Sequence, residues 1–389
     1  MDLPGISEAE AALLHEMRRH LAGQIDAAGG ALPFDQYMET ALYAPGLGYY
    51  VNGRRKFGAD GDFVTSPEVS ALFSRCVARQ TAECLQKLGG GAVLEVGAGS
   101  GRMAADMLLE LEALDSLPER YCILELSPSL QQVQCETVQA AVPHLAHRIE
   151  WLDGLPLRGT HGVVVGNELL DAMPVHRFRR HASGWQELAV GGDETALFDV
   201  WGPVRSPGLL AAIEALWRNP REIAEGYTSE LNMRLRPWLQ AVAACMTRGY
   251  LLLVDYGYTR HEYYHPDRNQ GTLICHYRHR AYNDPYLLPG LQDITANVDF
   301  SAVANAASDA GFTLAGYTTQ AHFLIDSGLD TLLGDADPTD VARHMALMQG
   351  VKQLTLPSEM GERFKVMALA RDADSTLSGF RSRDLRGRL

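Results

Sequence analysis

The sequence predicts an α/β protein built on a doubly wound parallel sheet. Three observations carry this. Short, continuous apolar runs recur at Ala92–Val96, Tyr121–Leu126, Gly162–Val165 and Tyr250–Val254. Helix-periodic segments such as Met103–Leu114 lie between them, and the first run ends in glycines that open into that helix. Strands buried on both faces read as unbroken apolar runs, and strands alternating with helices form parallel sheets covered on both sides. Two later runs, Phe312–Thr318 and Phe364–Ala370, are separated by helix and supply an antiparallel pair for one edge.

The chain divides around this core. Residues 1–90 read as helices plus a Gly-rich and aromatic loop, Tyr43–Phe63. Ser7-Glu8-Ala9-Glu10 is a capping box ahead of Leu13, Leu14, Met17, Leu21 and Ile25. That predicts an amphipathic helix, not a signal or transit peptide. Residues 91–174 form the first half of the core. An insertion, 175–247, begins with alternation over Pro174–Val204 and the turn pairs Ser183-Gly184 and Gly191-Gly192, so a hairpin followed by helices is expected. Residues 248–371 complete the core. They carry a second insertion, 256–300, rich in Tyr, His, Pro and Gly and without period, expected as a lid. Residues 372–389, with basic Arg381–Arg388, read as a solvated tail.

Composition excludes several functions. The formal charge of the 389 residues is −14, which repels phosphate backbones and argues against a nucleic-acid partner. Cys76, Cys84, Cys122, Cys135, Cys245 and Cys275 show no C-x-x-C spacing and are expected as reduced thiols. No apolar stretch reaches the roughly 18 residues of a membrane span. A cytoplasmic protein without membrane insertion is expected, and the sequence does not fix its oligomeric state.

The sharpest motif is Glu95-Val96-Gly97-Ala98-Gly99-Ser100-Gly101. Glycine allows positive φ and close approach of a ligand, and the following helix N-terminus favours an anionic group. The dinucleotide pattern G-x-G-x-x-G would require glycine at position 102, where Arg102 stands. A loop without a pyrophosphate to cradle fits S-adenosylmethionine, whose anion is a carboxylate; a tight structural turn is the alternative. Glu125, about two dozen positions past Gly101, stands where an acid accepts both ribose hydroxyls. Asp153, in Trp151-Leu152-Asp153-Gly154, falls at a third strand end, where it can accept from an adenine amino group with Trp151 or Leu152 against the ring. Asp-Gly is also a plain turn signal.

With these pieces in place the chain resembles the MidA-like family, from about Leu32 to Arg371. The ordered markers are Ala41-Leu42-Tyr43 through Gly48-Tyr49-Tyr50, Gly61-Asp62-Phe63-Val64-Thr65-Ser66-Pro67-Glu68, the glycine loop, and Asn167-Glu168-Leu169-Leu170-Asp171-Ala172-Met173-Pro174. Val254-Asp255-Tyr256-Gly257, Gly271-Thr272-Leu273, Pro289-Gly290 with Asp293-Ile294-Thr295, and Gln353-Leu354-Thr355 with Met360-Gly361-Glu362 follow. Ser74 stands where the family usually has glycine, and Asn297 where a histidine is usual. The resemblance implies a class I methyltransferase fold with a Rossmann-like sheet, S-adenosyl-L-methionine as donor, and a protein arginine side chain as acceptor. Mitochondrial members of that family help assemble the respiratory NADH dehydrogenase.

The chemistry of such a transfer is in-line displacement at a sulfonium, which needs alignment more than a metal or a covalent intermediate. A guanidinium is held by carboxylates through charge-assisted hydrogen bonds. Glu168 and Asp171 follow a central strand and are three apart, so one helical turn would bring them together; Asn167 adds an amide contact. Asn167 as a helix cap with flanking acids is the competing reading. Glu230 is a third catalytic candidate, against a solvated helix glutamate. Cofactor contacts are expected from Glu95, Gly97, Gly99, Gly101, Glu125, Asp153 and Asn167, with Asp62 and Glu68 near the mouth. Asp255 ends a parallel strand and serves substrate or fold. His261, His265, His276 and His279 lack metal-ligand spacing, so no metal is expected. A protein substrate is favoured; a small amine or another protein side chain, and a non-catalytic assembly factor, are the other classes.

Overall fold

The computed structural model describes residues 5–54, 56, 65–156, 159–217, 219, 223–334 and 340–389. The chain forms two compact units. The first comprises Met1–Phe63, Asp171–Leu235 and Arg260–Asn297, the second Val64–Leu170, Arg236–Thr259 and Val298–Leu389.

In chain order, α1 (Glu8–Ala27), the short strand β1 (Leu32–Pro33) and α2 (Phe34–Tyr43) open the first unit. The second follows with α3 (Ser66–Val69), α4 (Ala71–Leu88), β2 (Ala92–Val96), α5 (Arg102–Ala113), β3 (Tyr121–Leu124), α6 (Pro128–Ala141), β4 (Ile149–Leu152) and β5 (Thr160–Asn167). The chain re-enters the first unit for β6 (His176–His181), β7 (Gly184–Gly192), β8 (Leu197–Pro203), α7 (Leu209–Glu214) and β9 (Thr228–Leu231). It then supplies α8 (Leu235–Cys245) and β10 (Met246–Tyr258). The first unit is completed by α9 (Arg260–Tyr263), β11 (Ile274–Tyr277), β12 (Arg280–Tyr282) and β13 (Asp293–Thr295). The second ends with β14 (Val298–Asp299), α10 (Phe300–Asp309), β15 (Thr313–Thr319), α11 (Gln320–Asp326), α12 (Leu329–Gly334), α13 (Val341–Thr355) and β16 (Phe364–Arg371).

The second unit holds the expected sheet, in the order β15-β16-β10-β5-β2-β3-β4, with β14 beside the end of β10. β4, β3, β2, β5 and β10 run parallel, and β16 is antiparallel to both β10 and β15. The apolar runs are buried on both faces because helices cover them. Phe73 and Val77 of α4 and Met107 and Leu111 of α5 share one core with Val93, Ile123, Val163 and Val165. Chain order reverses at β2: β3 and β4 are laid on one side, then β5 on the other. Such a reversal leaves a crevice beyond the carboxyl ends of the two strands.

The first unit departs from expectation in three places. The hairpin β6–β7 is present, but β8 extends it on β7, and β9 pairs with β6 where helix was expected. Glu230 therefore lies on a strand, not on a solvated helix. The span expected as a lid contains the sheet β12-β11-β13. Its Leu273, Cys275, Tyr277, Tyr282 and Ile294 pack with Leu21, Ile25, Tyr37 and Met38 of α1 and α2, so much of its aromatic content is core. Finally, α3 and α4 belong with the parallel sheet and not with the first helices. The capping box is formed: the Ser7 hydroxyl accepts from Glu10 N, and the Glu10 carboxylate accepts from Ser7 N. That carboxylate also pairs with Arg54 and Arg278 and accepts from the Tyr277 hydroxyl at 3.2 Å.

Among the described residues no helix is long and apolar enough to cross a membrane. All six cysteines are free, with Cys135 alone among them exposed.

The C-terminal segment is packed, which corrects its reading as a solvated tail. Leu377 and Phe380 are buried in the core of the second unit, and the Phe380 ring lies 5.7 Å from that of Phe323. Leu385 N donates to Tyr317 O at 2.7 Å, and Arg383 pairs with Glu362 at 2.8 Å. The basic residues mask this because the apolar anchors are only two. Phe380→Ala is expected to cost about 3–5 kcal/mol in denaturant unfolding; a loss within about 0.5 kcal/mol would restore the tail reading.

Candidate functional site

The glycine loop leaves β2 at the reversal. Val96 pairs with Gly166 of β5, so Gly97 and Asn167 exit side by side at the crevice. Gly97, Gly99 and Gly101 all take positive φ, 71°, 54° and 80°. A Cβ on Gly97 would meet nothing nearer than Leu169 Cδ1 at 3.7 Å, so the backbone there faces open space. A Cβ on Gly101 would fall 2.9 Å from Gln134 Cα of α6, a clash with backbone that cannot yield. α5 therefore starts with a residue that must be glycine for conformation and for packing. The Ser100 hydroxyl donates to Glu68 Oε1, which ties the loop to α3.

Glu125 sits one residue past β3, with Ser127 N donating to Oε1 and Gln134 Nε2 to Oε2, each at 2.9 Å. Leu126 beside it is 70% exposed, an apolar side chain held in the open at the same strand end. Asp153, exposed after β4, accepts from Gln131 Nε2, whose stronger bond is to Glu125 O at 2.6 Å. Gln134 was not legible in the sequence: it lies in the polar run Gln131-Gln132-Val133-Gln134, whose period signals only a helix.

Asn167 and Glu168 close β5. Glu168 N donates to Val254 O at 2.8 Å, and the residue turns to φ 49°, a left-handed conformation uncommon for a non-glycine residue. Its Oε1 accepts from Asn167 Nδ2 at 3.2 Å and from Ser66 N at 3.3 Å. Asn167 Oδ1 is buried with no hydrogen-bond partner among the described residues. Leu170 N donates to Asp255 Oδ2 and Tyr256 N to Oδ1, so Asp255 fixes the exit of β5 from within the fold.

The expected helical turn at Glu168 and Asp171 does not form. Residues 168–173 are bend, turn and irregular chain with no helix, so neither the shared helix face nor the helix-cap reading holds. Asp171 belongs to the first unit, is buried, and its carbonyl accepts from Ala296 N at 3.0 Å. Glu230 is 0% exposed; it accepts from Arg177 Nε at 3.3 Å and from Thr272 N at 2.8 Å. Its charge is consumed inside the first unit, a structural reason for its being acidic. Asp62 lies outside the described residues. His276 lies on β11, His279 in the β11–β12 turn at φ 61°, and His261 on α9. Among the described residues no three His, Cys, Asp or Glu side chains are grouped to hold a metal ion.

Glu95 is buried against Tyr121 of β3. It is 1% exposed and accepts from the Tyr121 hydroxyl at 2.6 Å. Burial, reinforced by the charge of Glu125 and opposed by the Tyr121 bond, pushes its carboxyl up to about 7. A raised acid favours the protonated fold, so its contribution is full below the unfolded value of 4.5 and is lost as pH rises through about 7. The stability difference between Glu95→Gln and the wild type should therefore grow in favour of glutamine by about 3 kcal/mol over that window. A difference that stays flat with pH in denaturant titrations would show that folding does not raise the Glu95 carboxyl.

This geometry meets close relatives among known proteins. A family model described as "Putative S-adenosyl-L-methionine-dependent methyltransferase" matches residues 76–318. The mitochondrial protein arginine methyltransferase NDUFAF7 of Danio rerio is 30% identical over 384 residues, spanning 91% of this chain and 87% of that protein. The Homo sapiens protein of the same name is 29% identical, spanning 91% and 83%. The crystal structure of a COG1565 superfamily member from Burkholderia thailandensis, bound to S-adenosyl-homocysteine, is 43% identical with a TM-score of 0.95 and covers 100% of both chains. The residues of this chain fit such a ligand, since the open glycine cradle, the fixed acid after β3 and the partnerless Asn167 oxygen all lie at one sheet edge. The chain belongs to this family: it is an S-adenosyl-L-methionine-dependent methyltransferase with the class I, Rossmann-like fold.

Proposed function

We propose that the protein methylates arginine side chains of a protein substrate, and that Glu168 holds the acceptor guanidinium. The observation that carries this is the placement of Glu168: a carboxylate at the carboxyl end of a central strand, beside the glycine loop, kept in a left-handed turn and aimed by Ser66 N and Asn167 Nδ2. Strain of that kind persists where the surroundings over-determine it, and functional sites are where it collects. The names of the relatives from Danio rerio and Homo sapiens support the arginine reading.

For the cofactor, Gly97, Gly99 and Gly101 let the backbone approach the ligand, and the start of α5 favours its carboxylate. Glu125 accepts the ribose hydroxyls, with Leu126 and Trp151 as apolar flanks for the adenine and Asp153 as acceptor for its amino group. Asn167 Oδ1 accepts from the amino-acid end of the ligand. Glu95, bonded to the Tyr121 hydroxyl, is assigned no contact with it. S-adenosylmethionine supplies a methyl group on a sulfonium, activated for displacement. Glu168 keeps one guanidine nitrogen in line and balances the guanidinium charge while that nitrogen gains the methyl and gives up a proton to solvent, the sulfonium leaving as a neutral thioether. Glu168 alone carries the acceptor role; Asp171 and Glu230 are not assigned one.

Two measurements test this. In calorimetry with S-adenosylhomocysteine, Gly99→Val should abolish binding, since valine both resists φ 54° and fills the loop; equal affinity in the folded variant would remove the ligand from the loop. Glu168→Gln keeps size but removes charge. It should lower the rate of labelled-methyl transfer into arginine about 10–150-fold, the worth of one charge-assisted contact, with little change in cofactor affinity. Wild-type turnover, or methyl label recovered on another side chain, would overturn the assignment.

A further inference from the structure

A single amide joins the three segments that the cofactor reading uses. Gln134 of α6 is 0% exposed. Its Nε2 donates to Gly99 O at 3.1 Å and to Glu125 Oε2 at 2.9 Å, and its Oε1 accepts from Trp151 Nε1 at 3.0 Å. The orientation is forced by chemistry: the indole N–H can only donate, and a peptide carbonyl and a carboxylate can only accept. Both amide hydrogens are used, and no other side chain of this size offers two donors and one acceptor on one planar head. Ionised glutamate would set a second carboxylate against Glu125; leucine would leave Glu125 and the Trp151 N–H without this partner.

We infer that Gln134 is a positioning residue for the cofactor ribose, resting on the placement of that ribose at Glu125. Ser127 N holds one Glu125 oxygen and Gln134 the other, so the carboxylate plane is fixed at two points. Each oxygen carries two lone pairs, and the plane decides where the second one points. Two vicinal hydroxyls can be accepted together only if that plane is set before the ligand arrives. Through the same head, Gln134 sets the indole of Trp151 on the adenine side and the Gly99 carbonyl on the loop side. Its backbone is also what excludes a side chain at Gly101, so α6 is seated against the loop at a fixed distance. The device makes recognition of ribose hydroxyls, and not merely of adenine, depend on a residue that never touches the ligand.

The test measures the affinity of the full chain for S-adenosylhomocysteine and for its 2′-deoxy analogue by calorimetry. Wild type should prefer the ribose ligand about 10–100-fold, the worth of a hydroxyl donating to a carboxylate. In Gln134→Leu that preference should fall below about 3-fold, because the acid is no longer oriented. Gln134→Glu keeps shape and serves if the leucine variant fails to fold. Its affinity should fall as pH rises from about 5 to about 8, when the two facing carboxylates lose their shared proton. A leucine variant that retains the preference, whether affinities are unchanged or weakened equally, would reduce Gln134 to a packing role. A glutamate variant with the wild-type pH profile would do the same. Wild type that does not discriminate the two ligands would overturn the ribose placement itself.

Discussion

The parallel pairing of β2 with β5 is the constraint on which the methyl-transfer site depends. Parallel strands deliver all their carboxyl ends to one edge, and only where chain order reverses do two neighbouring exits diverge and leave a crevice. Val96 opposite Gly166 sets that register, so the glycine loop and Asn167-Glu168 leave the sheet together. A slip of one residue would exchange the two buried faces of β5 and bring a side chain to the place of Gly162, where a Cβ would overlap the backbone of Ala92. The chemistry is thus positioned by the most deeply buried part of the molecule, and the loops inherit its precision.

The acids of the chain sort by what consumes their charge. Glu10 and Glu230 are each met by an arginine and further donors inside the first unit. Glu187 accepts from Arg205 N, Ser206 N and His176, and these bonds, outweighing its burial, hold its carboxyl down at about 2. Such groups are anchored so completely that removing one partner would strand a buried charge. Glu95 is the opposite case, a buried acid given one hydroxyl and, among the described residues, no cation, and its proton affinity rises accordingly. Glu125 and Glu168 differ from both. Amides and backbone N–H groups donate to each of them, which fixes the plane of the carboxylate. A carboxylate whose plane is fixed in advance is suited to receive a ligand's donors.

That distinction explains what could be read in the sequence. Apolar runs placed β2 to the residue and β15 and β16 nearly so, while of β10 (Met246–Tyr258) they marked only the buried middle, Tyr250–Val254. The glycine loop was legible because positive φ restricts residue type, and Glu125 because it follows the next strand. β9 escaped notice: Thr228-Ser229-Glu230-Leu231 is short and polar, and its burial comes from long-range pairing with β6 and from Arg177. Gln134 escaped because glutamine on a helix has no signature; its meaning lies in contacts 9, 17 and 35 residues away. The tyrosines of 256–300 suggested a lid because exposed aromatic loops and aromatic cores built from short strands share a composition. Glu168 and Asp171 were joined by helical spacing, an inference that failed once the chain turned at φ 49° instead of coiling.

The ordered motifs that mark the family are where backbone and carboxylate crowd each other. Gly271 takes φ 78°, and a Cβ there would drive into the Glu230 carboxylate, while Thr272 N beside it donates to the same group. Asn297 N in turn donates to Thr272 Oγ1. This use of Asn297 is through its backbone, so asparagine in place of the usual histidine leaves that bond intact. In the second unit, the Ser66 hydroxyl faces Gln320 at 3.2 Å, Gln320 Nε2 donates to Leu354 O at 3.0 Å, and Ser66 N reaches Glu168. Motifs some 300 residues apart in the chain are therefore one hydrogen-bonded path ending on the acid proposed to hold the acceptor. Substitution at Ser66 or Gln320 would act on Glu168 through its orientation and not through its charge, because every intermediate in that path is neutral. The orientation of the acid proposed to hold the acceptor is in this sense set in part by groups that carry no charge.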